Sequence, residues 1–78
     1  MTIAEAVQEV LKSSKKPLSV QEITRLILEK NLYQFNTKDT VGMVRRAIHR
    51  RCKGYSRKDS ITPALFEKLD DKTYQLIQ

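Results

Sequence analysis

Apolar residues recur at helical spacing through the first two thirds of the chain and alternate with polar ones only near its end. Ile3, Ala6, Val7, Val10 and Leu11 follow the i, i+3, i+4, i+7, i+8 rhythm of one buried face, which predicts a first helix over residues 3–13. Thr2 and Glu5 have the spacing of a capping box, in which each side chain satisfies a free backbone N–H of the first turn. Pro17 ends this stretch, because proline has no N–H to donate and disfavours helical backbone at the residue before it. A second helix is predicted over residues 20–30, with Ile23, Leu26 and Ile27 as its inward stripe. Ser19 and Glu22 repeat the capping-box spacing, and Leu18, just ahead of the cap, can staple onto Ile23. Asn31 suits a left-handed residue past the helix end, with Leu32 folding back on the last turn.

The third helical pattern covers residues 38–53, capped by Thr37 in preference to Asn36 and ended by Gly54, which accepts positive φ without steric cost. At about 100° per residue, Val41, Val44, Ile48 and Cys52 fall on one face. Asp39, Gly42, Met43, Arg46, Arg50 and Lys53 fall on the other, His49 lies at its edge, and Arg45 and Arg51 flank the buried stripe. Residues 55–60 are a polar connection. Residues 66–69 and 73–77 read as two short strands around Asp70-Asp71-Lys72, the spacing of a hairpin. Residues 61–65 either start a helical turn at Pro63 or lead into the first strand.

Composition narrows the class. With 78 residues, 40% of them apolar and 31% charged, the chain suits one small globular domain spanning residues 1–78. No apolar run approaches the roughly 18 residues of a membrane span. The N-terminal stretch, with Glu5 and Glu9, lacks the basic lead and apolar core of a secretory signal, so an intracellular location is expected. A lone cysteine, Cys52, excludes an internal disulfide and a multi-cysteine zinc site, and two glycines exclude a glycine-rich phosphate loop. The net charge of +6 is concentrated. Residues 38–58 hold eight basic side chains against one acidic, a balance of +7, whereas the rest of the chain holds seven against eight. A basic block on a balanced chain points to a surface aimed at a polyanion.

Three helices and a C-terminal hairpin, with Leu18-Ser19-Val20 available as a short third strand, give the order of a winged helix-turn-helix, an α+β fold. The resemblance narrows further. Ile3-Ala4-Glu5-Ala6 with Val10-Leu11, then residues 17–23 (Pro-Leu-Ser-Val-Gln-Glu-Ile), Ile27, Leu32 and the ending Phe66 with Tyr74-Gln75-Leu76 resemble the HARE-HTH family. That winged-helix family occurs in eukaryotic chromatin proteins, in restriction-type bacterial proteins and in the delta subunit of bacterial RNA polymerase. The resemblance covers nearly the whole chain and implies a DNA-binding or transcription-associated module without enzymatic activity. Some members act through protein contacts, so an adaptor docking on a polymerase or chromatin complex is the alternative.

In a helix-turn-helix the last helix of the three enters the major groove, and its outward face should meet phosphates and base edges. Arg46 and Arg50, four apart, point the same way, with Lys53 extending the row, Arg45 beside it and His49 at its edge. Arginine suits guanine because its planar fork can bond O6 and N7 together. Gly42 and Met43 leave little bulk, which would allow close approach to DNA. Thr37, Lys38 and Thr40 sit at the positive end of the helix dipole, where phosphate is favoured. Arg57 and Lys58 in the following loop add phosphate contacts or are simply solvated. The hairpin tip, Asp70-Asp71-Lys72, is net negative, so the wing is expected to stay off the backbone.

Several weaker signals fit ordinary structural roles. His49 and Cys52 have a metal-compatible spacing, but zinc takes four ligands and no other His or Cys exists. Cys52 lacks an oriented base for nucleophilic work. Asp70 and Asp71 are more readily solvated turn residues than a shared metal or proton site. Tyr33 and Phe35 serve as lids over the helix junction or, alternatively, as base-stacking platforms. No metal, cofactor or enzymatic activity is expected. The partners expected are duplex DNA, an acidic protein or a larger parent protein, with no membrane.

Overall fold

The computed structural model describes residues 1–53 and 63–77. Gly54, the 55–60 connection with Arg57 and Lys58, and residues 61 and 62 lie outside the described residues. The element order is α1 (Ile3–Ser14), α2 (Val20–Glu29), α3 (Thr40–Arg50), β1 (Cys52–Lys53), β2 (Phe66–Lys68) and β3 (Tyr74–Leu76).

Both capping boxes form. Thr2 N–H donates to Glu5 Oε1 at 2.7 Å and Glu5 N–H to Thr2 Oγ1 at 3.1 Å. Ser19 and Glu22 do the same at 3.1 and 3.2 Å. Four otherwise orphaned N–H groups are thereby satisfied at two helix starts. Lys15 ends α1 in the left-handed region (φ 58°), and Asn31 follows α2 in the same conformation (φ 54°). Leu32 N–H then returns to Ile27 C=O at 3.0 Å, the fold-back that the Asn-Leu pair predicts.

The third helix departs from expectation at both ends. Its N-cap is Asp39, which accepts from Gly42 N–H at 3.1 Å, whereas Thr37 Oγ1 accepts from the Asp39 N–H at 3.2 Å. Thr37 thus braces the cap residue rather than the helix. The helix stops at Arg50, and Cys52 and Lys53 form a strand instead of a last helical turn. The Arg51 carbonyl accepts from Leu65 and Phe66 N–H at 2.7 and 3.0 Å, and pulling this backbone into the sheet is what ends the helix.

The sheet runs β1-β2-β3, with β1 parallel to β2 and β2–β3 the antiparallel hairpin. The third strand is therefore β1 and not Leu18-Ser19-Val20: Leu18 makes a single bridge to Tyr74, and Val20 already belongs to α2. Pro63 to Leu65 lead into β2 without a helical turn. Three helices and a small sheet make an α+β winged helix-turn-helix. Ala6, Val7, Val10, Ile23, Ile27, Val44, Ile48 and Phe66 are fully buried, so each helix and the hairpin contribute to one core. Tyr33 and Phe35 pack edge-to-face against its margin, 5.0 Å between ring centres. Both are half-buried.

Candidate nucleic-acid interface

The inward side of α3 is set by Val44 and Ile48, both fully buried. Helical geometry then turns Arg45, Arg46 and Arg50 outward, and all three are exposed. Arg46 and Arg50 sit four apart, one turn along the same side. Thr37 and Lys38 are exposed just before the helix, and Thr40, its first residue, is half-buried. The positive end of the dipole is already occupied: the Asp39 carboxylate bonds the Gly42 N–H there. A phosphate approaching this terminus would meet a negative charge, so the helix dipole alone does not favour one at Thr37, Lys38 and Thr40.

Gly42 does not leave room for DNA. It is buried, and a Cβ added to it would overlap the Asp39 carboxylate. Its lack of a side chain makes space for the helix cap. Met43 is half-buried.

Two of the expected contacts are engaged elsewhere. His49 is half-buried, and its Nε2 shares a 2.8 Å hydrogen bond with Tyr74 Oη on β3. Lys53 leaves the Arg46–Arg50 row, because it lies on β1. There its Nζ stands 3.9 Å from Glu67 Oε2, its register partner on β2, and Gln75 Nε2 donates to the other Glu67 oxygen at 3.0 Å. Neither Tyr74 nor Glu67 was marked by any sequence signal as a partner, although alternation along β3 does place Tyr74 inward. Arg51 is half-buried, and Arg57 and Lys58 fall outside the described residues.

Among the described residues no cluster of three or more His, Cys, Asp or Glu side chains is poised around a common point. His49 and Cys52 no longer share a helix face, and burial pushes the Cys52 thiol above its ordinary range, away from the reactive thiolate. At the hairpin tip, Asp71 Oδ1 accepts from Thr73 N–H at 3.2 Å and from the Thr73 hydroxyl. The Thr73 hydroxyl first, and then backbone N–H groups, hold its carboxyl below the usual range, as suits an ionised turn residue. No helix among the described residues is long and apolar enough to cross a membrane.

The model of one family, the HARE-HTH domain of ASXL and restriction endonuclease proteins, matches residues 1–78. The chain belongs to the HARE-HTH family. HARE-HTH is a helix-turn-helix domain rather than a catalytic family, and DNA binding is the general role of such domains. Neither curated proteins nor solved structures return a match. In this HARE-HTH chain α3 is the last of the three helices.

Proposed function

We propose that this HARE-HTH domain binds duplex DNA through the outward face of α3, mainly by phosphate contacts. The observation that carries this reading is the trio Arg45, Arg46 and Arg50, exposed on one helix whose opposite side is locked into the core by Val44 and Ile48. Lys38 flanks the trio, and Arg57 and Lys58 extend its charge along the chain. Thr37 and Thr40 add hydroxyl donors. His49 takes a secondary part, since its ring is bonded to Tyr74, and Lys53, exposed on β1 with Glu67 3.9 Å away, adds a partly offset charge. The domain thereby serves transcription, chromatin or restriction-related regulation inside the cell, as a binding unit without chemistry of its own.

The test is a fluorescence-anisotropy titration of random-sequence duplex at two salt concentrations, with Arg46→Ala/Arg50→Ala alongside. Binding should weaken with salt, and the double variant should flatten log K against log salt by about 0.9 for each phosphate it no longer neutralises. Both arginines are exposed, so the variant should keep its circular dichroism. No binding at low salt from a folded sample would replace this reading with an adaptor that docks an acidic protein on the same face.

A further inference from the structure

A second basic surface exists that no residue of α3 lines. The last turn of α1 and the end of β3 enclose an open groove of about 440 Å³. Lys12, Lys15 and Lys16 rim it, Leu11, Pro17, Leu76 and Ile77 form an apolar floor, and no carboxylate of the described residues lines it. All three lysines are exposed, as is Ile77. The left-handed backbone at Lys15 turns the chain out of α1 and carries Lys15 and Lys16 round to this groove.

The backbone in the groove is half-finished. Leu18 and Tyr74 exchange two hydrogen bonds, Leu18 N–H to Tyr74 C=O at 3.1 Å and Tyr74 N–H to Leu18 C=O at 2.8 Å. Leu69 N–H donates to Thr73 C=O and Ile77 N–H to Leu65 C=O, so residues 73 and 77 face β2 and the alternate residues 74 and 76 face the outer edge. Continuing the antiparallel register, Leu76 would pair with Lys16. It does not, because Ser14 takes the Lys16 groups: Lys16 N–H donates to Ser14 Oγ at 3.3 Å, and Ser14 Oγ donates to Lys16 C=O at 2.7 Å. The Leu76 N–H and C=O thus point outward with no backbone partner among the described residues. Such an edge is a template for an added strand.

We propose that this groove docks an extended acidic segment of a partner protein, which adds to the outer edge of β3 at Leu76. Its backbone closes the open donor–acceptor pair, its carboxylates meet Lys12, Lys15 and Lys16, and an apolar side chain rests on Pro17 and Ile77. The open pair decides between polyanions. A phosphodiester only accepts hydrogen bonds and leaves the Leu76 C=O unmet, whereas a peptide strand supplies both a donor and an acceptor. The apolar floor likewise matches a side chain and not a phosphate. This inference stands independently of DNA binding by α3.

The experiment uses the full chain, ¹⁵N-labelled, titrated with a blocked hexapeptide of alternating Glu and Val. Controls are the same peptide with Lys for Glu, one with Pro for Val, and a short single-stranded oligonucleotide. Amide shifts at Leu76, Ile77 and Lys16, with slowed hydrogen exchange at Leu76, are expected from the Glu-Val peptide alone. Lys12→Gln/Lys15→Gln/Lys16→Gln should raise its Kd by about tenfold, from the loss of three exposed ion pairs. Arg46→Ala/Arg50→Ala should leave that Kd unchanged, which separates this site from α3. The proposal is overturned if the Glu-Val peptide at millimolar concentration leaves Leu76 and Ile77 unmoved. It is equally overturned if the shifts fall on α3 instead, if the Lys or Pro peptide binds as well, or if the oligonucleotide competes for the groove.

Discussion

Asp39 closes the start of α3 with one hydrogen bond to the Gly42 N–H, and its carboxylate lies where a Cβ on Gly42 would be. The two residues therefore form a coupled pair. Asp39→Ala should cost about 1 kcal/mol, the usual loss for a removed N-cap. Gly42→Ala would ordinarily stabilise a helix by about 1 kcal/mol through propensity. Here the added Cβ displaces the carboxylate, so the single variant should lose the cap and gain little or nothing. In the Asp39→Ala background the clash is gone and Gly42→Ala should recover its propensity gain. Urea unfolding of the four proteins of this cycle measures the coupling, and strict additivity would show that the cap and the glycine act separately. Asn36, Thr37 and Asp39 are all competent caps within four residues, which is why spacing alone favours the wrong one.

The two helices opened by capping boxes carry a pH dependence. Glu5 is held below its usual carboxylate range first by the Thr2 backbone N–H and then by the Thr2 side chain, and Glu22 likewise by Ser19. A carboxyl whose pKa is lower folded than unfolded binds fewer protons in the native state. Its contribution is therefore fully present above the unfolded value of about 4.3 and is lost as pH falls through the folded one. Glu5→Gln/Glu22→Gln keeps an acceptor in each box but removes the titration. Its urea midpoint should consequently fall less than the parent's between pH 6 and pH 3, and parallel curves would refute the assignment. These same local devices explain why α1 and α2 are legible in the sequence to within a residue: cap, period and stop signal all lie inside or next to the helix. The end of α3 is not local. Cys52 follows Ile48 by four, which suits an inward helix position, yet it is equally buried as a two-residue strand whose partner, Phe66, comes from beyond the 54–62 segment. No periodicity exists in two residues. For the same reason the exposure of Arg45, Arg46 and Arg50 could be read from helical spacing, whereas the engagement of His49 by Tyr74 and Lys53 by Glu67 could not, because both partners arrive with the hairpin.

Taken over the whole molecule, charge is distributed by fold rather than by sequence order. The described part of the basic block is divided between α3, which presents Arg45, Arg46 and Arg50, and β1, where Glu67 lies beside Lys53. Lys12, Lys15 and Lys16, inconspicuous in a balanced stretch of sequence, gather instead at the groove beside β3. Between β2 and β3 the hairpin tip carries exposed Asp70, Asp71 and Lys72. If α3 carries the DNA and the wing stands clear, reversing charge at the tip should matter little. Asp70→Lys is the suitable change, since Asp71 holds the turn through Thr73 and must stay. At 0.15 M salt a charge held more than about 8 Å from the phosphates is largely screened. The affinity of Asp70→Lys for random duplex should therefore stay within about twofold of the parent, and the slope of log K against log salt should not change. A wing resting on the backbone gives a different result: the new lysine would neutralise a phosphate and steepen the slope by about 0.9. Slope, rather than affinity alone, distinguishes the two geometries, because a long-range attraction raises binding without neutralising a further phosphate.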